Sequence, residues 1–231
     1  MKALAEYVMR GRIPALWVAV LTAGTLMFSW LSAAIIALVI LRKGKAEGAF
    51  ILMWAILPAG AILFMGEIGP FGMLIGTSVL AGVLRWTRSW SYTLLAAVMV
   101  GLFAGLLLMT LGSGYLANIA DIFQNFINQL QQQLPEQEKQ VTLQSPSVVQ
   151  IAGLLAMMNS ATSVLCLILA RWWQSELYNP GGFGQEFRAL RLTKPITLSL
   201  IVLGVFASTL GFEYRGWAVI FLMPLVFTAF A

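Results

Sequence analysis

SYTLLAAVMVGLFAGLLLMTL, residues 91–111, decides the class of this protein. The run carries no charge, and at about 1.5 Å of rise per residue it is long enough to cross the roughly 30 Å hydrocarbon core of a bilayer. Away from water a helix satisfies its own backbone hydrogen bonds, so such a run reads as a spanning helix. Gly101 and Gly105 stand four apart, the small-residue spacing that lets helix backbones approach closely. Trp86, Trp90 and Tyr92 gather at its start, where rings with an apolar body and a polar edge anchor a helix at the membrane interface.

Working outward, further apolar runs occupy residues 13–41, 50–64, 71–84, 147–170, 196–212 and 217–231. Hydrophobic residues make up 60% of the chain and charged ones 10%, against about 25% charged in ordinary soluble proteins. The expectation is an all-α, polytopic integral membrane protein forming one membrane domain over residues 1–231. It should hold about six full spans, an N-terminal short helical hairpin and an external amphipathic helix.

The 13–41 run is basic at both flanks, with Lys2, Arg10 and Arg12 before it and Arg42, Lys43 and Lys45 after it. A single span would strand one cluster outside. The interruptions at Gly24, Ser29 and Ser32 are therefore read as a turn between helices near 14–28 and 30–41; one long tilted span is the alternative. Pro58 is expected to kink or divide the 50–64 helix.

In residues 115–134, Leu116, Ile119, Ile122, Phe123, Phe126, Ile127 and Leu130 recur at helical spacing opposite Asn118, Asp121, Gln124, Asn125 and Asn128. This pattern is an amphipathic helix within an external segment, residues 115–146. It either lies on the bilayer with membrane lipid as its partner or forms a lid over an outward-facing cavity.

Charge and composition exclude several functions. The 14 Lys and Arg exceed the 9 Asp and Glu, yet they sit between apolar runs and form no stripe, which argues against nucleic acid as a partner. Their placement puts the N-terminus in the cytoplasm. Cys166 is alone and histidine is absent, which removes disulfides, cysteine-rich metal sites, zincin sites and serine triads. No paired carboxylates occur, and the PGGFG turn at 180–184 is too short and lacks the lysine of a phosphate loop. The chain reads as a non-enzymatic protein with no metal, no cofactor and no catalytic residue.

The 147–170 run holds the densest set of neutral polar side chains, Gln150, Asn159, Ser160, Thr162 and Ser163. An unsatisfied amide in mid-membrane costs several kcal/mol, so Asn159 must face either a neighbouring helix or a ligand. On the second reading Asn159, Ser160 and Ser163, with Trp54, bind a small, largely neutral or apolar molecule.

Residues 171–195, RWWQSELYNPGGFGQEFRALRLTKP, form a cytoplasmic connector with Trp172 and Trp173 at the interface and a turn at Asn179-Pro180-Gly181-Gly182. Its aromatics and arginines, Trp172, Trp173, Arg188 and Arg191, suit contact with a membrane-protein partner. The last run, 217–231, is short for a span and no basic residue closes it, so the sequence reads as C-terminally incomplete or as ending in a buried helix.

The stretch ARWWQSELYNPGGFGQEFRALRL at 170–192, with YVMRGRIPAL at 7–16 and WLSAAIIALVILRKG at 30–44, resembles the YybS-like family of uncharacterised bacterial membrane proteins. That family is distantly similar to the S components of energy-coupling-factor transporters. The resemblance implies a bacterial inner (cytoplasmic) membrane, a substrate-binding transporter subunit, and docking on a partner through an alanine-xxx-alanine surface. Ala33 and Ala37 have that spacing.

Overall fold

The computed structural model describes residues 2–133 and 145–229, and every regular element among them is helical. The order is α1 (Lys2–Met9), α2 (Arg12–Ala23), α3 (Ser29–Lys43), α4 (Lys45–Phe64), α5 (Gly69–Thr87), α6 (Trp90–Leu111), α7 (Ser113–Gln133), α8 (Val148–Tyr178), α9 (Gly182–Arg188), α10 (Lys194–Thr209) and α11 (Arg215–Ala229).

At the centre stands α3. Every residue from Ala33 to Ile40 is buried, as expected of a helix that is apolar all round and must be enclosed on every side. Its neighbours are α2, α4, α5 and α8. Where α4 crosses it, a Cβ at Gly48 would lie 2.1 Å from Ile40 Cγ1, so only glycine fits. This arrangement corrects one expectation. Ala33 and Ala37 are fully buried; their small side chains let helices approach within the protein and offer no docking surface.

The 13–41 run is two helices, α2 and α3, packed against each other across a turn at residues 24–28. The turn rests on α4, where a Cβ at Gly24 would lie 3.4 Å from Pro58 Cβ. Pro58 does not divide α4, which passes through it as one helix.

Three helices, α4, α6 and α8, are long and apolar enough to cross a membrane, judged by length and composition. Such helices permit a membrane location. The expected six full spans are not reached. α3, α10 and α11 contain 15, 16 and 15 residues, a rise of about 22 to 24 Å against a core of about 30 Å. α5 has 19 residues, but Gly69, Gly72, Gly76, Thr77, Ser78, Gly82 and Arg85 dilute its apolar character.

α8 is longer than its apolar run, with 31 residues. A capping box fixes its start: Ser147 Oγ accepts from the Gln150 N–H at 3.3 Å, and Gln150 Oε1 accepts from the Ser147 N–H at 2.8 Å. Gln150 is thus an end cap and no member of a mid-span polar cluster. Nothing in RWWQSELY breaks a helix, so residues 171–178 of the expected connector continue α8. Trp173 is fully buried in the core while Trp172 is 38% exposed, which removes Trp173 from any partner surface. Beyond Tyr178 the buried Ser175 secures the turn, its Oγ donating to Asn179 O at 2.7 Å and accepting from the Phe183 N–H at 2.9 Å.

The small-residue spacing on α6 is used as expected. Gly101 faces Ile220 and Ser160, and Gly105 with Gly153 leaves a groove for the Trp217 ring, whose Nε1 donates to Val149 O at 3.0 Å. α7 is amphipathic and only its beginning is docked. Leu116 is fully buried, whereas Ile122, Phe123, Phe126 and Leu130 are exposed. The part of the expected external segment at 134–144 lies outside the described residues.

Candidate functional site

The α2–α3 and α4–α5 turns, the end of α6 and the first half of α8 meet around a cavity of about 720 Å³, within the roughly 300–1,000 Å³ of small-molecule sites. Leu63, Ile68, Phe71, Leu107, Leu155 and Met158 supply apolar walls, and Ser29, Glu67, Tyr115, Asn159 and Thr162 the polar positions. Residues 155, 158, 159 and 162 line it because three- and four-residue steps keep them on one face of α8.

Asn159 is half-buried in this wall. Gly72 makes room for it, since a Cβ there would lie 2.9 Å from Asn159 Oδ1. Among the described residues the Asn159 amide makes no hydrogen bond, so its donors and acceptor are not committed to a neighbouring helix. Thr162, also on the cavity wall, returns its hydroxyl to α8, donating to Met158 O at 2.8 Å and Asn159 O at 3.1 Å.

The other expected ligand residues lie elsewhere. Ser160 and Ser163 are fully buried on the faces of α8 turned to α6 and α5. Ser160 Oγ donates to Ala97 O at 2.6 Å; Ser163 Oγ packs against Gly76 without a partner among the described residues. Both therefore build the helix packing and neither reaches the cavity. Trp54 is 43% exposed on α4 and is not part of the lining.

The structure adds two polar residues that periodicity did not single out. Glu67, the acid of the α4–α5 connector, is exposed at the cavity, and Tyr115 opens α7 beside it. Partial burial, with Glu67's charge adding to it, holds the Tyr115 hydroxyl above its ordinary value of 10.0. It stays protonated near neutral pH and can donate. Among the described residues, no three His, Cys, Asp or Glu side chains group to hold a metal.

At the opposite end of the bundle, Arg188 and Arg191 are exposed. Arg188 Nε donates to Gly184 O at 3.0 Å, and Arg191 O accepts from Ser91 Oγ at 2.9 Å. Comparison of the chain with family models, with curated proteins and with solved structures finds no match.

Proposed function

We propose that this is a non-enzymatic, multi-pass membrane protein that binds a small, largely neutral or apolar molecule and serves as a transporter subunit similar to an S component. The observation that carries the reading is the uncommitted Asn159 amide in the wall of a mostly apolar cavity. Apolar walls hold a ligand by removing its surface from water, while an amide that both donates and accepts fixes its orientation. Tyr115 supplies a further donor where α7 begins, and on this reading α7 covers the site. The six-span count belongs to this reading, with the shorter helices α5, α10 and α11 joining α4, α6 and α8 in a locally thinned bilayer and α2 and α3 forming the N-terminal hairpin. So does a bacterial inner membrane with the N-terminus and residues 171–195 in the cytoplasm, and so does kinship with the YybS-like proteins.

The test is a metabolite screen for thermal stabilisation of the purified full chain. A ligand that stabilises the native protein should lose its effect in Asn159→Leu and keep it in Trp54→Phe. Absence of any stabilising compound, together with full function of Asn159→Leu in cells, would overturn the reading. A second reading, an inner-membrane protein that recruits a partner through 171–195, is favoured by the exposure of Trp172, Tyr178, Arg188 and Arg191. Cross-linking with and without the 179–182 turn separates the two.

A further inference from the structure

A second cavity, of about 700 Å³, lies at the far end of the bundle from Asn159, where α3, α5 and α8 end and α6 begins. Its lining holds five arginines, Arg42, Arg85, Arg88, Arg171 and Arg191, against one carboxylate, Glu186. Like charges crowded around one cavity repel, and something in the fold must hold each one there.

Three of the five are committed. Arg85 donates to Ile40 O at 2.9 Å and Leu41 O at 2.6 Å, closing the C-terminal carbonyls of α3. Arg171 pairs with Glu186 through Nε and Nη2 and donates from Nη1 to Gln174 Oε1 at 2.6 Å, and Arg42 lies 3.9 Å from the centre of the Tyr178 ring. Arg88 and Arg191 have no ion-pair partner among the described residues. Each is nevertheless fixed in place through its backbone. Arg88 adopts the left-handed conformation, φ 52°, between α5 and α6, and Arg191 O is hydrogen-bonded by Ser91 at the start of α6. The wall also contains the Trp90 indole, 7% exposed, whose Nε1 has no acceptor among the described residues. Positive charge therefore exceeds carboxylate in the lining, and the N-terminal turn of α6 adds its positive dipole end.

We propose that this pocket binds a phosphate-bearing anion, held by Arg88 and Arg191 and flanked by the start of α6. Guanidinium forks match phosphate oxygens in pairs, and the volume admits a diphosphate or a lipid headgroup. The site is separate from the Asn159 cavity and does not depend on the transporter reading.

The test uses the full chain in nanodiscs of phosphatidylcholine, with two probes: soluble pyrophosphate by calorimetry, and phosphatidylglycerol mixed into the disc, read by native mass spectrometry of retained lipid. The native protein should bind one of them, and which one distinguishes a soluble anion from a headgroup. Arg88→Gln with Arg191→Gln should weaken that binding at least about tenfold, the scale of losing charge-assisted hydrogen bonds. Arg88→Lys with Arg191→Lys, which keeps the charge, should retain part of it should the glutamine pair fail to fold. Arg215→Gln, beside Phe212 on the α10–α11 connection, should leave it unchanged. Binding of neither probe, equal binding by the glutamine pair, or an equal loss in Arg215→Gln would overturn the proposal.

Discussion

Ser160 Oγ donates a 2.6 Å hydrogen bond to the carbonyl oxygen of Ala97, joining α8 to α6 at a point sealed from solvent. The donor is a side chain that sequence reasoning assigned to a ligand. Ser160→Ala should lower stability by about 0.6 kcal/mol, the mean for such bonds between membrane helices. Ser160→Leu should cost a further ~1–3 kcal/mol through overpacking, because Ser160 Cβ lies only 3.1 Å from where a Cβ on Gly101 would stand. Unfolding curves of the two variants check the order.

Trp217 makes a sharper demand on its neighbours. A Cβ at Gly153 would come within 2.6 Å of the indole and 2.9 Å of the Trp217 backbone nitrogen, so α8 and α11 would have to separate. Gly153→Ala should destabilise by about 1–3 kcal/mol. Gly114→Ala, on α7 with nothing within 4 Å, should be neutral or stabilise by up to about 1 kcal/mol through helix propensity. Melting temperatures of the pair distinguish local crowding from a general intolerance of added methyl groups.

Arg85 holds the end of the central helix. Arg85→Met should leave the Ile40 and Leu41 carbonyls without their side-chain donor, at a cost of about 1–3 kcal/mol. Amide exchange should report it as faster opening of the last turn of α3, with α6 unaffected.

Tyr115 gives a dependence on pH with a definite sign. Burial first and Glu67 second raise the hydroxyl above 10.0, so the folded state holds its proton more tightly than the unfolded chain. The associated stability is fully present below the ordinary tyrosine value and is lost as pH rises through the folded one. Phenolate absorbance should show one tyrosine titrating late, and Glu67→Gln should bring it part of the way back.

How much of this was readable from the chain follows from what periodicity can and cannot encode. The amphipathic helix α7 was legible because its two faces differ, and the Gly101 and Gly105 contact because small residues four apart have few other uses. The burial of α3 was not. When a helix is apolar all round, as over Ala33 to Ile40, no polar face remains to show which side meets lipid and which meets protein. The same ambiguity hid the difference between Asn159, which reaches a cavity, and Ser160, one residue and about 100° further round the helix. The length of α8 was misread because paired tryptophans beside an arginine look like an interfacial belt, whereas Trp173 is packed inside. The capping box at Ser147 and Gln150 carried its signature in plain view as S-x-x-Q before an apolar run.

One consequence concerns the unbroken length of α8. The same helix supplies Asn159 and Thr162 to one cavity and Arg171 and Gln174 to the other. Arg171 follows Asn159 by 12 positions, a stiff rod of about 18 Å. On the transport reading, a tilt of α8 that widened the first chamber would reach the second without passing through a hinge or loop. Were both cavities occupied, whatever factor one ligand imposed on affinity for the other, the reverse influence would equal it.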